Sequence, residues 1–257
     1  MCRDCGCSTS THPLFLKEQQ AKNIVGKLTL KRTIKVEESI FQKNQSLALK
    51  NREQFAQRNL TVINVMSSPG SGKTTLLSNL LSSLKDQVRL SVLVGDQETT
   101  IDQDRYLKAG VEAKQINTRS ACHLNASQIE ESLKSLPTEL EMLVIENVGN
   151  LVCPAVFDLG EEIKMAVLST PEGEEKPLKY PVLFHDADII VITKIDLVNV
   201  LDYNLLEAVQ NIRTLNTKAP IFLVSTKTGE GLDDLKNEIL SRRHKRSGHV
   251  LSDSGHP

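Results

Sequence analysis

The sequence predicts an α/β fold in which a mostly parallel β-sheet is flanked by helices. From about residue 61 onward, apolar segments of strand length alternate with segments of helical periodicity. The strand segments are nearly continuous apolar runs, which is typical of strands covered by helices on both faces. A glycine- and serine-rich turn joins the first strand to the next helix. The 257 residues are enough for one such domain with a short appendage.

The individual elements follow from the same periodicity. Strands are predicted, in chain order, at residues 61–66, 88–96, 113–116, the first part of 139–150, 162–170, 187–196 and 219–226. Helices are predicted at residues 73–84, 103–109, 123–136, 202–215 and 231–243. Asn125 or Ser127 is the predicted N-cap of the 123–136 helix, because either side chain can accept a backbone hydrogen bond.

The two ends of the chain differ in composition from the alternating region. Residues 1–32 are predicted to form an irregular N-terminal arm that is rich in cysteine at its start and basic from residue 17. Residues 33–243 are assigned to the α/β domain, which includes an imperfect amphipathic helix at 33–58 leading into the first strand. Residues 244–257 have the composition of a flexible tail.

Charge and composition exclude several classes of protein. Lys and Arg number 31 and Asp and Glu 32, a formal net charge of −1, which argues against a partner such as nucleic acid or an anionic membrane. No stretch approaches the roughly 18 apolar residues of a membrane span, and the first thirty residues lack a signal-peptide pattern. A cytoplasmic protein is therefore expected. The odd number of cysteines, five, argues against a disulfide framework.

The turn after the first strand carries the strongest functional signal. The segment VMSSPGSGKTTLL fits the Walker A pattern of P-loop proteins, with Ser67 at the position of the first glycine. Lys73 is expected to reach the β- and γ-phosphates as a catalytic residue, and the Thr74 hydroxyl to ligate Mg²⁺. The candidate phosphate-binding residues are Gly70, Ser71, Gly72, Lys73, Thr74 and Thr75. A chance turn is the alternative, but the strand and helix required on either side are both predicted.

Two later loops indicate that the nucleotide is GTP or GDP. Lys194 and Asp196 match the Asn/Thr-Lys-x-Asp turn of GTPases, in which the carboxylate accepts two hydrogen bonds that guanine can donate and adenine cannot. Thr193 stands where asparagine is commoner. The STK segment at residues 225–227 follows a later strand and resembles a loop that closes over guanine; its candidates are Ser225, Thr226 and Lys227. Taken alone, the TKID segment is also compatible with an ordinary strand-to-helix loop.

Two further loops are candidates for sensing the γ-phosphate. Glu146 and Gly149 lie where an Asp-x-x-Gly motif is expected, so the Gly149 N–H is predicted to contact that phosphate. Asp96 ends the second strand and is followed by Glu98 and Asp102. It is the candidate catalytic carboxylate, either in the magnesium shell or orienting water, and a solvated acidic loop is the alternative reading.

The first seven residues contain three cysteines at a spacing that can surround one metal ion. Cys2, Cys5 and Cys7 offer three thiolates, and removal of Met1 would add the Cys2 amine as a fourth donor. Sulfur and nitrogen donors of this kind suit Ni²⁺ or Zn²⁺. A redox-active or merely reactive thiol cluster is the alternative.

A second group of soft donors lies in the middle of the chain. Cys122 and His123 are adjacent, and Cys153 follows the ENVGN loop. All three leave the predicted sheet near the phosphate-sensing loops, so they can meet in one metal site or across a dimer interface. Burial as core residues is the alternative, since free cysteine is among the most buried residue types.

These segments together resemble one family, the nickel-incorporation GTPases of nickel–iron hydrogenase maturation (the HypB family). The resemblance runs from about Thr33 to Leu240 and rests on the segments SSPGSGKTTLL, CHLNA, IENVGNLVCPAVFDLGE and KPLKYPVLF. The last three do not belong to GTPases in general. The N-terminal CxxCGC is similar to a high-affinity nickel site that some members carry.

The resemblance implies a fold and a mechanism. The fold would be a P-loop GTPase of the SIMIBI type, related to the signal-recognition GTPases and the nitrogenase iron protein, forming a homodimer when GTP binds. Cys122, His123 and Cys153 would form the weaker, nucleotide-linked metal site. The implied activity is slow GTP hydrolysis that gates delivery of nickel, with a HypA-type metallochaperone and the hydrogenase large-subunit precursor as partners.

Two departures and two alternatives accompany this hypothesis. The family usually has a glycine-rich stretch before the internal cysteine, where this chain has residues 118–121, TRSA, and the arm has only His12 in place of a histidine-rich run. An accessory GTPase for urease or cobalamin enzymes is the nearest alternative, but it would not predict CxxCGC together with NVGNLVCPA. A metal-storage or redox-sensing protein with vestigial nucleotide binding is the alternative from another class, and the intact Lys73, Thr74 and Asp196 count against it.

Overall fold

The structure is a computed structural model that describes residues 39–96, 101–118 and 121–250, with side chains as far as Arg243. The chain divides into two compact units, residues 1–43 and 44–257, and the fold described below is that of the second. Among the residues described, no helix has both the length and the apolar content needed to cross a membrane.

The core of the second unit is a seven-stranded sheet in which every neighbouring pair of strands is parallel. The strands are β1 (Thr61–Ser67), β2 (Leu90–Asp96), β3 (Ala113–Asn117), β4 (Met142–Glu146), β5 (Ile163–Ser169), β6 (Ile189–Thr193) and β7 (Ile221–Val224). Their order in the sheet is β3-β2-β4-β1-β5-β6-β7. The α/β fold with a parallel sheet is therefore confirmed.

Helices cover both faces of this sheet. They are α1 (residues 39–57), α2 (Lys73–Ser82), α3 (Ile101–Lys108), α4 (Ala126–Leu133), α5 (Cys153–Val156), α6 (Lys176–Lys179), α7 (Pro181–His185), α8 (Leu205–Leu215) and α9 (Leu232–Val250). Short 3-10 helices occupy Thr170–Glu172 and Ile195–Leu197. All residues of β1 and β6 are buried, as expected for strands covered by helices on both faces, although β1 includes the polar Thr61, Asn64 and Ser67.

The central strands separate two layers of apolar packing. On one face, Leu76 and Leu80 of α2 pack in a cluster with Val65 and Val94 of the sheet. On the other face, α4 packs in a cluster with Leu143 of β4. The core is mostly aliphatic, but its largest fully buried side chains are aromatic: Tyr106, Phe55 and Phe184.

Several element boundaries differ from the sequence predictions, each for a local reason. Helix α4 begins at Ala126 because Asn125 is its N-cap, in a capping box with Gln128. Helix α8 begins at Leu205 because the Asn204 side chain accepts a hydrogen bond from the Glu207 N–H. The periodicity did not predict α5, α6 and α7, which have only four or five residues each.

Helix α9 also extends beyond the sequence prediction. The helix was predicted to end at residue 243, before a flexible tail at 244–257, but it continues to Val250. No proline interrupts residues 244–250, and the basic residues there suit the carboxyl end of a helix. Residues 251–257, the rest of the predicted tail, lie outside the described residues.

The parallel arrangement brings the functional loops together. Because all seven strands point the same way, their carboxyl ends meet at one edge of the sheet. Asp96 ends β2, Glu146 ends β4 and Thr193 ends β6, while the glycine- and serine-rich loop follows β1. The two sites described next are built on this edge.

Candidate nucleotide and metal site

The loop between β1 and α2 has the backbone geometry of a phosphate cradle. Gly70 and Gly72 adopt φ angles of 75° and 87°, which only glycine adopts readily. Gly72 is the N-cap of α2 and no side chain caps that end, so backbone N–H groups at the helix start face an anion site. A cleft of about 640 Å³ opens there, lined by residues 68–75, Asp96, Asp102, Arg105, Val148, Gly149 and Lys194.

Ser67 takes a definite structural role at the position of the missing glycine. Its hydroxyl donates to the Ser68 carbonyl at 2.9 Å and accepts a hydrogen bond from the Ser71 hydroxyl at 2.7 Å. Both side chains are buried. The serine thus closes the loop on itself, which explains how this chain keeps the loop shape without the first glycine.

Lys73 and Thr74 both contact Glu146 from the end of β4. The Lys73 ammonium lies 3.2 Å from one carboxylate oxygen, and the Thr74 hydroxyl donates to the same oxygen at 2.6 Å. The other oxygen accepts a 2.5 Å hydrogen bond from the Tyr106 hydroxyl. Glu146 is 2% exposed, so these contacts compensate a buried charge.

Tyr106 was not anticipated from the sequence. It lies on α3, is fully buried, and its pKa is raised well above 10.0 by burial and by the neighbouring Glu146 carboxylate. The hydroxyl therefore stays protonated and donates to that carboxylate. A tyrosine inside a helical pattern is normally read as core, and only the fold shows what its hydroxyl contacts.

The predicted base-recognition loop is hydrogen-bonded to the phosphate loop. The Thr193 hydroxyl donates to the Ser71 carbonyl at 2.7 Å, and the Lys194 ammonium donates to the Gly70 carbonyl at 2.7 Å. Lys194 has a φ of 60°, an uncommon backbone conformation, and its carbonyl accepts from the Thr170 hydroxyl at 2.9 Å. Thr193, the replacement for asparagine, thus joins the two loops.

The remaining base-recognition candidates lie next to one another. The Ser225 hydroxyl donates to the Asp196 carboxylate at 2.6 Å and accepts from the Lys227 N–H at 3.3 Å. The Thr226 position lies between them in the same turn. Of the five candidates in these two loops that follow Thr193, only Lys194 is among the described residues lining the phosphate cleft. Asp196 is two residues from Lys194 in the chain and is joined to the STK segment by the Ser225 hydroxyl.

The two phosphate-sensing candidates also border the cleft. Asp96 lines it as a partly exposed carboxylate, together with Asp102 and Arg105, which form a 3.3 Å ion pair on α3. A Cβ atom on Gly149 would lie 3.0 Å from the backbone of Pro69 in the phosphate loop. Any side chain at residue 149 would displace that loop. Glu98 lies outside the described residues.

The fold brings Cys122, His123 and Cys153 together. Their ligand atoms all lie within 4.8 Å of one another, with 3.0 Å between the two Sγ atoms and 3.5 Å between Cys122 Sγ and His123 Nδ1. Burial lowers the pKa of His123, whose ring packs on Phe157 at a centroid distance of 3.9 Å. The hydrogen bond between the two thiols, and partial burial, raise the pKa of Cys153. The donor set, two sulfurs and a nitrogen, fits a borderline-soft divalent metal.

The segment that leads into Cys122 is held by Thr118. Its hydroxyl donates to the Ala121 carbonyl at 3.1 Å, and its carbonyl accepts from the Ala121 N–H at 2.9 Å. The Thr118 N–H donates to the Asp96 carbonyl at 3.0 Å. Hydrogen bonds between Thr118 and Ala121 therefore hold the backbone just before Cys122, where the family usually has a glycine-rich stretch. Residues 119–120 and the predicted ligands Cys2, Cys5 and Cys7 lie outside the described residues.

The fold and the phosphate loop define a P-loop nucleotide-binding protein of the SIMIBI type. Residues 61–223 match the CobW/HypB/UreG nucleotide-binding domain family. The chain is 45% identical over 217 residues to the hydrogenase maturation factor HypB of Escherichia coli K12, covering 84% of this chain and 75% of that protein. It is 41% identical over 236 residues to the hydrogenase/urease maturation factor HypB of Helicobacter pylori 26695, covering 90% and 97%.

Solved structures give the same assignment. The crystal structure of Helicobacter pylori HypB in complex with nickel aligns with a TM-score of 0.75 at 43% identity, over 79% of this chain and 96% of that one. Archaeoglobus fulgidus HypB aligns with a TM-score of 0.74 at 33% identity, over 78% and 98%. The chain belongs to the HypB family.

Proposed function

We propose that this protein is a GTP-hydrolysing nickel metallochaperone of hydrogenase maturation, in which GTP-dependent dimerisation gates metal transfer. The observation that carries the proposal is one continuous segment, residues 146–153. It begins with Glu146, which contacts Lys73 and Thr74, and ends with Cys153, which lies 3.0 Å from Cys122. The names of the relatives, hydrogenase maturation factors and a HypB–nickel complex, support the same conclusion.

The nucleotide side of the proposal uses residues of the cleft. Lys73 leaves Glu146 and contacts the β- and γ-phosphates, while backbone N–H groups of the glycine loop hold their oxygens. Asp196 accepts the two guanine donors, and its existing bond from Ser225 orients the carboxylate for that role. GTP is therefore selected over ATP by a partly buried acceptor that adenine leaves unpaired. Slow hydrolysis suits a timed switch.

The oxygen donors at the cleft fit a magnesium ion. The Thr74 hydroxyl, the Glu146 carboxylate and the partly exposed Asp96 carboxylate are hard ligands of the kind that Mg²⁺ prefers. Bound there, the ion would neutralise phosphate charge that Lys73 alone does not balance. Tyr106 continues to donate to Glu146 and holds the carboxylate in place.

The metal side treats nickel as cargo. Cys122, His123 and Cys153 supply three donors, which leaves positions open for a ligand from a partner and hence for transfer. Zn²⁺ accepts the same donors, so the cell's metal supply decides occupancy. Cys2, Cys5 and Cys7 are proposed as a separate, tighter site. The proposed partners are a second copy of the chain, a HypA-type metallochaperone and the hydrogenase large-subunit precursor.

A competition titration tests the central claim. Ni²⁺ and Zn²⁺ affinities are measured on the apo-protein without nucleotide, with GDP and with a non-hydrolysable GTP analogue, alongside the sedimentation coefficient. We expect two site classes per protomer, with the weaker class changing affinity between the nucleotides, and a dimer only with the GTP analogue. Tight thiol binding that ignores the nucleotide would reduce the protein to a metal carrier joined to an independent GTPase.

Urease maturation is a second candidate role, because the Helicobacter pylori relative is named a hydrogenase/urease maturation factor. Complementation of a deletion strain that expresses both enzymes separates the two roles. We expect this chain to restore nickel-dependent hydrogenase activity. Rescue of urease without hydrogenase would replace the first role with the second.

A further inference from the structure

The loop at residues 147–150 contacts both candidate sites. On one side, Gly149 packs against Pro69 of the phosphate loop so closely that a Cβ atom would lie 3.0 Å from its backbone. On the other side, the asparagines that flank this glycine at residues 147 and 150 reach the segment that carries His123. The loop therefore connects the phosphate loop with the three metal-ligand candidates, in addition to the hydrogen bond that joins Asp96, at the cleft, to Thr118.

Asn147 is buried, and both the oxygen and the nitrogen of its amide group make hydrogen bonds. Its side-chain oxygen accepts hydrogen bonds from the Leu124 N–H at 3.2 Å and the Val148 N–H at 3.0 Å. Its amide nitrogen donates to the side-chain oxygen of Asn64 at 3.2 Å, and Asn64 in turn donates to the Glu161 carboxylate. Since a carboxylate can only accept here, the chain of donors fixes the orientation of both amides.

Asn150 holds the other side of the same segment. Its amide nitrogen donates to the Cys122 carbonyl at 3.3 Å, and its oxygen accepts from the Val152 N–H at 2.9 Å. The backbone is thus fixed on both sides of His123, at residue 122 by Asn150 and at residue 124 by Asn147. The third ligand candidate, Cys153, follows directly in the same stretch of chain.

The two contacts of the loop with the nucleotide site make it responsive to phosphate. Glu146, the residue before Asn147, is bonded to Lys73 and Thr74, and both must change partner when a triphosphate and its cation enter. A Cβ atom at residue 149 would lie only 3.0 Å from Pro69, so the two loops are in close contact there. A shift at either contact moves the two asparagines, and with them the backbone that carries Cys122 and His123.

We propose that Asn147 and Asn150 are positioning residues that couple the nucleotide state to metal affinity by fixing the backbone on both sides of His123. Neither side chain is a ligand; each acts through the carbonyl or N–H group that it bonds. The inference rests on the proposed nucleotide-gated metal site and deepens it by naming the connection. Because coupling is reciprocal, loss of either asparagine weakens the effect of nucleotide on metal and of metal on nucleotide equally.

The test measures coupling separately from binding. In a full-length Cys2/Cys5/Cys7→Ser parent, Ni²⁺ affinity at the internal site is measured with GDP and with a non-hydrolysable GTP analogue, using thiolate-to-nickel charge-transfer absorption. The ratio of the two dissociation constants is the coupling factor. Asn147→Ser and Asn150→Ala are compared with a control, Asn211→Ala. Asn211 lies on α8, and its amide also donates to a backbone carbonyl, that of Glu174.

We expect a coupling factor of at least about 5 in the parent and in the control, the lower end of typical allosteric coupling. In both test variants the coupling factor falls to within about twofold of 1. The affinity for each nucleotide, measured without metal, changes by less than about threefold. The nickel–thiolate absorption bands remain, because all three ligands are intact. This combination separates a coupling role from a merely structural one.

Other results overturn the inference in distinguishable ways. Coupling retained in folded Asn147→Ser and Asn150→Ala excludes the two asparagines as the connection. Nickel affinity lowered by the same factor with both nucleotides leaves them as structural residues only. A parent coupling factor of 1 removes the gating step of the proposed function itself, and this inference with it. If Asn147→Ser fails to fold, the partly exposed Asn150 decides the question alone.

Discussion

The phosphate site and the metal site differ in how their reactive groups are partnered. In the phosphate site, Lys73 and Thr74 already contact the buried Glu146 carboxylate. In the metal site, the partly exposed Cys122 and Cys153 have their closest polar contacts with each other. Nucleotide binding must therefore exchange existing contacts, whereas a metal ion inserts among donors that already face one another.

This difference has an energetic consequence. Removing one partner of a buried ion pair costs about 3–5 kcal/mol, because the other charge stays buried without compensation. When Lys73 turns to phosphate, Glu146 keeps its bond from Tyr106, and it keeps its bond from Thr74 unless a cation binds that hydroxyl. The metal site has no such internal pair among the described residues, so its ligands can be removed with little effect elsewhere. The following variants test the contrast, beginning with the largest expected effect.

Cys153→Ser breaks the metal site alone. Loss of a ligand to the metal should lower internal-site nickel affinity by more than about 100-fold, since even partners outside the ligand set contribute 10–100-fold. Nucleotide affinity without metal should change by less than twofold. Nickel titration and fluorescent-GDP titration check the two statements. His185→Ala, which removes an exposed histidine outside the site, should alter neither; a weakened nucleotide affinity in Cys153→Ser would contradict the contrast.

Lys73→Ala breaks the phosphate site alone. Loss of a charge-assisted contact to phosphate, worth about 1.5–3 kcal/mol, should weaken GDP and GTP binding by up to about 100-fold. Nickel binding to the internal site without nucleotide should persist. Lys50→Ala is the control, because it also removes a lysine from an ion pair, the exposed one with Glu130. Undiminished GTP binding in Lys73→Ala would place the phosphates elsewhere.

Tyr106→Phe sharpens the contrast by removing one bond from the buried carboxylate. The expected loss is about 2 kcal/mol in the free energy of unfolding, because the lost bond is to a charged group. The raised pKa of Tyr106 means that this contribution is fully present below its unfolded value near 10 and is lost only at higher pH. The loss measured by urea unfolding should therefore be constant between about pH 6 and 9.

Tyr203→Phe provides the matched control. The Tyr203 hydroxyl is also buried, but it has no hydrogen-bond partner within the described part of the chain. Removing it should cost little stability or even raise it, since a buried polar atom without a partner is unfavourable. Equal losses in both tyrosine variants would show that ring packing, not the bond to Glu146, determines the effect.

Much of the fold was predictable because its signals are local. Continuous apolar runs gave all seven strands, and Asn125 was one of two predicted caps because capping depends on neighbouring residues. The short helices α5, α6 and α7 were not predicted. Each begins with a proline in its first turn and has fewer than six residues, too few for a periodic pattern. Tertiary packing stabilises them.

The candidate sites were predictable in residue type but not in their contacts. The glycines, Lys73 and Thr74 belong to one local motif, whose geometry follows from strand, loop and helix in succession. Tyr106 lies 40 residues from Glu146, and no spacing rule joins them. Asn147 and Asn150 fall inside the ENVGN segment, yet only the fold shows which backbone groups their amides bond.

The sequence by itself determined the strands and the phosphate loop, because each depends on residues close together in the chain, and it supplied the set of possible metal ligands. Only the tertiary structure decided that Cys122 and Cys153, 31 residues apart, bring their sulfur atoms within 3.0 Å. Cys122 follows β3 and Cys153 follows β4, so that distance depends on the order β3-β2-β4, which leaves one strand between them, and on the loops after both strands sharing one edge. Strand order is a property of long-range pairing, which local periodicity does not encode.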